Sequence, residues 1–337
     1  MKPGTRRVVW VVVVLVAALA ALVVAARRGS FEADPTAAEA RYGAPPSKFI
    51  DIDGTRIHYR DEGSGPVLVL LHGSRANLQQ WDGWARELGG RFRIIRFDAH
   101  GHGLTGPDGL NDYSAQRQLD LMDGLLVKLG VERCIVGGTS GGATLAVRYA
   151  AQHPDRVQAL LLSTLPLRLP AAPRTAAADR AVFWFHDKVL GTYATSLYWR
   201  TFLRSIVADP SIVTPELVDR YRTLNTLPGQ QQRFVARLAS WRAEGGPDRD
   251  FALAGKVTAP VLLQWGDAGP VLPQELHGKI ASAFTGTKVK VISYRELGHL
   301  LVLEDPQRTA RDALAFLQAA GVLDALAEPG EPGEPGR

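Results

Sequence analysis

The sequence predicts an α/β domain: a mostly parallel sheet of about eight strands covered on both faces by helices, interrupted by a helical insertion and preceded by one transmembrane helix. Three observations predict it. Short, continuously apolar runs alternate with helix-length amphipathic stretches, which is how strands buried on both faces read. The stretch from Leu167 to about Gly255 has no such runs. An uncharged apolar segment near the N-terminus precedes a chain of ordinary globular composition, 46% apolar and 22% charged in 337 residues.

The net charge of +5 suggests an anionic partner until it is located. Met1 to Arg28 holds five of the 39 cations (Lys2, Arg6, Arg7, Arg27, Arg28) and none of the 34 anions, so the remainder is balanced at 34 against 34. No basic stripe is left to track phosphates, which excludes nucleic acid as a partner. Between those cations, Val8 to Ala26 is an uncharged run of 19 residues. As a helix it is roughly 28 Å long, close to the hydrocarbon thickness of a bilayer. A cleaved signal peptide competes with an anchor here, because Val24-Ala25-Ala26 offers small residues at a cleavage position. The apolar run exceeds the roughly 7–15 residues of a signal core and two arginines follow it, so retention as a single-pass anchor (1–28) is expected. A twin-arginine signal at Arg6-Arg7 is a weaker reading of ordinary interface cations. The slight excess of positive charge before the run places the N-terminus inside and the body outside.

Residues 29–46 are rich in Ala, Pro and small polar residues and read as an extended linker. Lys48 to Arg60 alternates about Asp53-Gly54, the signature of a β-hairpin. Val67–Leu71, Ile94–Phe97, Cys134–Val136 and Val157–Leu162 follow as strands, with helices expected at Ala115–Leu129 and Gly142–Gln152. The pattern resumes with Val261–Trp265, a helix near Pro273–Phe284, Lys288–Ser293 and a helix from about Asp305 to Ala319. The core thus comprises 47–166 and 256–323, the insertion 167–255 forms a cap or lid, and 324–337, ending in EPGEPGEPGR, reads as a disordered tail. Phe183, Trp184, Phe185, Tyr193, Tyr198, Trp199, Phe202 and Trp241 of the insertion either pack its own core or line an apolar pocket beneath it. Cys134 is the only cysteine and falls inside a strand, which suits a buried inert thiol and excludes a disulfide framework or a cysteine metal cluster.

Gly138-Thr139-Ser140-Gly141-Gly142 matches G-x-S-x-G, a pattern short enough to recur by chance. Its setting carries the weight: it ends an apolar strand and opens a small-residue helix, the arrangement of a nucleophile elbow. Serine on so sharp a turn presents its hydroxyl above the sheet edge, and glycines two before and two after let the neighbouring backbones pass. The helix N-terminus supplies free N–H groups where an oxyanion would form. His72-Gly73-Ser74 ends the first long strand, Asp98-Ala99-His100-Gly101-His102-Gly103 ends the next, and Gly298-His299-Leu300 lies near the C-terminus.

With these four ordered motifs, the chain resembles the α/β-hydrolase superfamily, serine hydrolase branch with cap, over about residues 48–320. The resemblance implies that Ser140 is the nucleophile and His299 the general base, with the backbone N–H groups of Ser74 and Gly141 as the oxyanion hole and Gly138 and Gly142 shaping the elbow. No cofactor and no metal are implied. His72, His100 and His102 are expected to be structural, His58, His153 and His277 carry no motif, and His186 is a weak substrate-contact candidate. The third member of the triad departs from the pattern. In Trp265-Gly266-Asp267-Ala268-Gly269-Pro270-Val271-Leu272-Pro273, Gly269 occupies the position of the family's acid. Asp267 is the nearest carboxylate, starting about 6.5 Å back along an extended chain, and is the candidate acid if the turn rearranges. The segment Ser163 to Pro170, where some relatives carry the acid, has none.

The leading expectation is an ester hydrolase acting through an acyl-enzyme, with a lipid-like acyl substrate suggested by the anchor and aromatic cap. Membrane-anchored monoacylglycerol lipases are similar in layout. Carbon-carbon bond and amide hydrolases share the Ser-His arrangement. Dehalogenase and epoxide hydrolase branches are disfavoured because they carry an aspartate where this chain has Ser140. The contrasting class is a tethered binding or scaffold protein with an impaired triad.

Overall fold

The computed structural model describes residues 3–167, 176–191, 193–269 and 271–324. Helix α1 (Pro3–Arg27) is the apolar segment of the N-terminus, long and apolar enough to cross a membrane, with its valine and leucine side chains exposed. Its end touches the body: Ala26 is buried, and the Arg27 guanidinium donates from Nε to the Val189 carbonyl at 2.8 Å and from Nη2 to that of Lys188 at 2.7 Å.

The residues between α1 and the first strand depart from the expected extended linker. Pro35–Tyr42 forms helix α2. The Asp34 carboxylate accepts from the Thr36 N–H, and Pro35 sits in the first turn, where its missing N–H costs nothing. The helix is held by packing as well as by its cap: Ala38 is buried with Leu104, Leu224 and Leu227, and Arg41 pairs with Asp219. A short alanine-rich stretch reads as a linker in sequence because the partners that bury it lie far along the chain.

Eight strands form one sheet in the order β1-β2-β4-β3-β5-β6-β7-β8. β1 (Lys48–Ile52) and β2 (Thr55–Glu62) are the expected hairpin, and β2 also pairs antiparallel with β4 (Arg93–Phe97). β3 (Val67–Leu71), β4, β5 (Cys134–Thr139), β6 (Val157–Ser163), β7 (Val261–Gly266) and β8 (Val289–Tyr294) run parallel. Their alternate residues feed two cores. On one face Val69, Val136, Leu160 and Leu263 pack beneath α4 (Ala115–Lys128) and α5 (Gly141–Gln152). On the other, Leu68, Leu70, Ile135 and Leu161 meet Trp81, Trp84 of α3 (Asp82–Leu88) and Ala313. Continuous apolar strands are required because both faces are covered. Cys134 is buried, and burial pushes its thiol up to about 12, which leaves it inert.

The described part of the insertion is helical: α6 (Ala177–Phe185), α7 (Ser196–Arg204), α8 (Pro215–Asn225), α9 (Gln230–Ala243) and α10 (Gly246–Ala254). After it come α11 (Glu275–Ala281), α12 (Leu301–Glu304) and α13 (Pro306–Ala319). The insertion has a small core of its own, in which Trp199, Leu203, Val218 and Tyr221 are buried together. It is tied to α5 by Arg148, whose buried guanidinium donates to both Asp250 and Glu244. The expected tail from 325 onward, the segment 168–175 and Pro270 lie outside the described residues.

Candidate active site

The crevice at the carboxyl ends of parallel strands, where successive connections leave in opposite directions, is where α/β sheets bind ligands. β5 is such a strand, since β3 and β4 lie to one side of it and β6 to the other. Ser140 follows β5 directly, with φ 52° and ψ −121°, a left-handed-side conformation that strains a residue bearing a Cβ. Its N–H donates to the Ser163 carbonyl at 2.9 Å, which fixes the turn. The flanking glycines are sterically required: a Cβ on Gly138 would stand 2.5 Å from the Gly142 carbonyl oxygen, and one on Gly142 would stand 2.3 Å from that of Leu71.

Gly141 begins α5, so its N–H has no acceptor within the helix. The Ser74 N–H donates to no backbone carbonyl, and a Cβ on Gly141 would come 3.5 Å from the Ser74 nitrogen. The two expected oxyanion donors therefore lie side by side next to Ser140. The loop that carries Ser74 is held from below. The Gly73 N–H donates to Gln80 Oε1 at 2.8 Å, His72 Nδ1 bonds the Gly73 carbonyl, and His72 Nε2 accepts from the Ala99 N–H at 3.0 Å. His72 is thus a structural strut, and His102 packs edge-on against it. His58 is engaged by Asp98, His100 stacks on Tyr113, and His186 pairs with Asp187 and packs on Tyr198, none of them bordering the cavities at Ser140.

His299 and Ser140 border the same two cavities, of about 240 and about 270 Å³, together with Ser74 and Val271. No hydrogen bond joins the two side chains in this state, as is common before substrate aligns them. The first cavity lies under α9, with Phe234, Leu238 and Trp241 on its wall; the second is bounded by Phe202, Ile206 and Tyr221. The aromatics of the insertion divide: Trp241 and Phe202 line the cavities at Ser140, Trp199 is core, and Trp184 and Phe185 are exposed.

The orienting acid is where expectation and structure part. His299 Nδ1 is buried without a hydrogen-bond partner, and burial alone pushes the imidazole down to about 4. Asp267 does not reach it. The Asp267 N–H donates to the Tyr294 carbonyl and the Ala268 N–H to that of Leu297, which pins the end of β7 and turns the carboxylate to the opposite neighbour, 3.7 Å from Nδ1 of His277. His277 itself is stacked on Trp265 at 4.4 Å. A Cβ on Gly269, by contrast, would sit 3.1 Å from the backbone nitrogen of His299. Position 269 faces the histidine loop, and it carries no side chain.

What positions His299 instead is its backbone. Its N–H donates to the Ile206 carbonyl at 2.7 Å, and its carbonyl accepts from Thr164 Oγ1 at 3.4 Å. Glu304, one turn on, accepts from the Gly298 N–H at 3.0 Å and the Ala208 N–H at 2.8 Å, clamping the loop to the cap. Sequence inspection missed Glu304 in this role, since its two acceptors serve backbone groups that carry no residue signature. Among the described residues no three His, Cys, Asp or Glu side chains converge as a metal site.

Comparison with known proteins agrees with the fold. The family model described as alpha/beta hydrolase fold matches residues 66–306. The chain is 24% identical over 282 residues to 2-hydroxy-6-oxo-6-phenylhexa-2,4-dienoate hydrolase of Comamonas testosteroni, covering 80% of this chain and 93% of that one. It is 24% identical over 304 residues to epoxide hydrolase 3 of Mus musculus, covering 85% and 80%. Among solved structures, a bacterial membrane phospholipase A superposes with a TM-score of 0.65 at 22% identity, over 95% of this chain and 99% of the other.

Proposed function

The chain belongs to the alpha/beta hydrolase fold family, and on that premise we propose that it is a serine hydrolase that cleaves a carboxylic ester with an apolar acyl part, held at a membrane by α1. The observation that carries the proposal is the meeting of Ser140, His299 and the Ser74 and Gly141 N–H groups at the junction of two cavities walled mainly by apolar side chains. Two cavities on either side of a nucleophile suit a substrate with two arms. The reaction follows the triad pattern. Ser140 Oγ attacks the ester carbonyl as its proton passes to His299 Nε2, and the tetrahedral oxyanion accepts from the two N–H groups. Collapse expels the alcohol, which takes the proton from His299. Water then enters, gives a proton to His299 and attacks the acyl-enzyme carbonyl; His299 returns that proton to Ser140 Oγ as the acid is released. Each oxyanion donor supplies ~2.7–4 kcal/mol of transition-state stabilisation.

With no carboxylate at its Nδ1, His299 is a weak base, and removal of a triad acid costs about 10⁴ in rate where it has been measured. The proposed enzyme is therefore slow, or reserved for activated esters. Hydrolysis of a carbon-carbon bond is the second reading, favoured by the similarity to the dienoate hydrolase along most of both chains. Ser140 stands where the epoxide hydrolase branch carries its aspartate, which argues against that activity. For location, α1 is proposed to stay as an anchor with the body on the outer face. The exposed Trp184 and Phe185 of the cap support a membrane-proximal cap, since α1 ends against the same segment.

The test is turnover of p-nitrophenyl esters of rising chain length by the full chain in detergent. Turnover that vanishes in Ser140→Ala and in His299→Ala supports the proposal; turnover that persists in Ser140→Ala defeats it.

A further inference from the structure

α9 places Phe234, Arg237, Leu238 and Trp241 along one face over the first cavity, at the spacing of adjacent helix turns. Three of the four suit an apolar wall. Arg237 does not, and it has no counter-ion. Its Nε is buried without a hydrogen-bond partner, no carboxylate among the described residues lies within ion-pair distance, and the charged group that acts on it is another cation, Arg75. Arg75 forms no ion pair among the described residues, Asp187 acting on it only from a distance; it donates to the neutral Gln231 amide oxygen and lies over the Phe234 ring at 3.8 Å, with Arg237 above the same ring at 5.4 Å.

Other interior arginines of this chain show what such a group normally has. Arg96 is paired with Glu62 and Asp82, Arg117 with Asp108 and Asp53, and Arg148, on the wall of the same cavity, with Asp250 and Glu244. Arg237 is half-buried, its Nε out of water on the cavity wall, so a cation kept there without an acid marks a place for an anion. No Asp or Glu lines either cavity at Ser140 among the described residues.

We infer that Arg237 is the binding site for an anionic group on the substrate, a carboxylate or a phosphate, with Arg75 reinforcing the field. A cavity of about 240 Å³ holds both Arg237 and Ser140, so the charged group and the bond to be cleaved belong to one small molecule or one headgroup. The inference rests on the serine hydrolase reading for the word substrate; the anion site itself stands apart from it. It narrows the substrate from an apolar ester to one that is apolar along one arm and acidic along the other.

The test compares three p-nitrophenyl esters of similar length on the full chain in detergent at low salt: the butyrate, the hemiglutarate and a 4-phosphonobutyrate. The inference predicts kcat/KM at least tenfold higher for an acidic ester than for the butyrate. The better acidic ester tells carboxylate from phosphate. In Arg237→Gln that ratio collapses towards one through KM, and Arg237→Lys restores part of it. No preference in the parent protein overturns the inference, as does an equal fall of kcat for neutral and acidic esters in Arg237→Gln, which would make Arg237 an oxyanion donor. Binding reads the site without turnover. Glutarate or methylphosphonate titrated into Ser140→Ala protein binds at least tenfold more tightly than into Ser140→Ala/Arg237→Gln; equal binding, or none, overturns the inference. Anion binding without turnover of any ester would remove the hydrolase reading and leave the anion site standing.

Discussion

The carboxylate of Asp267 lies 3.7 Å from Nδ1 of His277 and forms no bond with His299. The two backbone hydrogen bonds that pin Asp267 and Ala268 to the β8 turn decide which histidine it faces. The proposed catalytic pair, Ser140 and His299, has no carboxylate hydrogen-bonded behind it, and the empty position is Gly269.

Restoring the acid is the first consequence. Gly269→Asp places a carboxylate beside the His299 loop, where a Cβ would stand 3.1 Å from the His299 backbone nitrogen, so the loop has to yield by a few tenths of an ångström. We expect kcat for p-nitrophenyl esters to rise by one to two orders of magnitude, a part of the ~10⁴ a native triad acid supplies. Asp267→Asn leaves kcat within about twofold of the parent, because one pKa unit corresponds to ~1.4 kcal/mol and Asp267 exerts no influence on His299 of even that size. Steady-state kinetics on both variants check this; loss of activity in Asp267→Asn would return that residue to the triad.

The pH profile follows from the same vacancy. Burial holds His299 down at about 4, so it is neutral and able to accept a proton throughout the neutral range. The acid limb of kcat/KM is expected near pH 4, well below the ~6.5 of free imidazole. In Gly269→Asp the limb moves up by a unit or more, since a neighbouring anion favours the imidazolium. A parent limb at 6.5 or above would show that a carboxylate reaches His299 in solution.

Stability should also decline on the acid side. His72, His100, His102, His277 and His299 are all shifted down by burial, His100 to about 4. Each folded-state pKa lies below the unfolded value of about 6.5, so the unfolded chain takes up the protons first. Stability is full above pH ~6.5 and is lost as pH falls from there towards 4, at up to ~1.4 kcal/mol per unit for each group that responds fully. Urea midpoints measured from pH 7.5 to 4.5 check the sign; a midpoint that rises on acidification contradicts it.

Arg148 is the strut between α5 and the helical insertion. Arg148→Ala leaves Asp250, already pushed up by burial, without its cation. Removing one partner of a buried pair costs ~3–5 kcal/mol. A fall of the thermal midpoint by several degrees is expected, and an unchanged midpoint would mean the cap is held by other contacts.

Glu304 acts through the loop it clamps. Glu304→Gln keeps one acceptor oxygen for the Gly298 and Ala208 N–H groups and loses the charge that strengthens both bonds. The expected result is a kcat reduced about tenfold with KM little changed, because His299 is misplaced while the cavity walls are intact. A change confined to KM would assign Glu304 to substrate binding.

Much of this was legible in the sequence, for reasons that differ by element. Val67–Leu71 and Val261–Gly266 announce themselves because strands buried on both faces must be continuously apolar. Gly138 and Gly142, and with them the turn at Ser140, are legible because a Cβ at either glycine would stand 2.5 Å or less from a neighbouring carbonyl oxygen. Helix α2 was not, since what stabilises it, the burial of Ala38 against Leu224 and Leu227, is formed by chain nearly two hundred residues away. The facing of Asp267 was hidden likewise, being set by backbone bonds to Tyr294 and Leu297. Arg237 gave no signal because an arginine on a helix reads as a solvated cation until its neighbours are known to lack an acid.

The most direct measurement is the intact mass and peptide map of the full chain after reaction with a fluorophosphonate. The account predicts one phosphonyl adduct, carried by the peptide that contains Ser140 and absent from the Ser140→Ala and His299→Ala proteins. An unmodified Ser140 in folded protein, or an adduct that persists in Ser140→Ala, would contradict it.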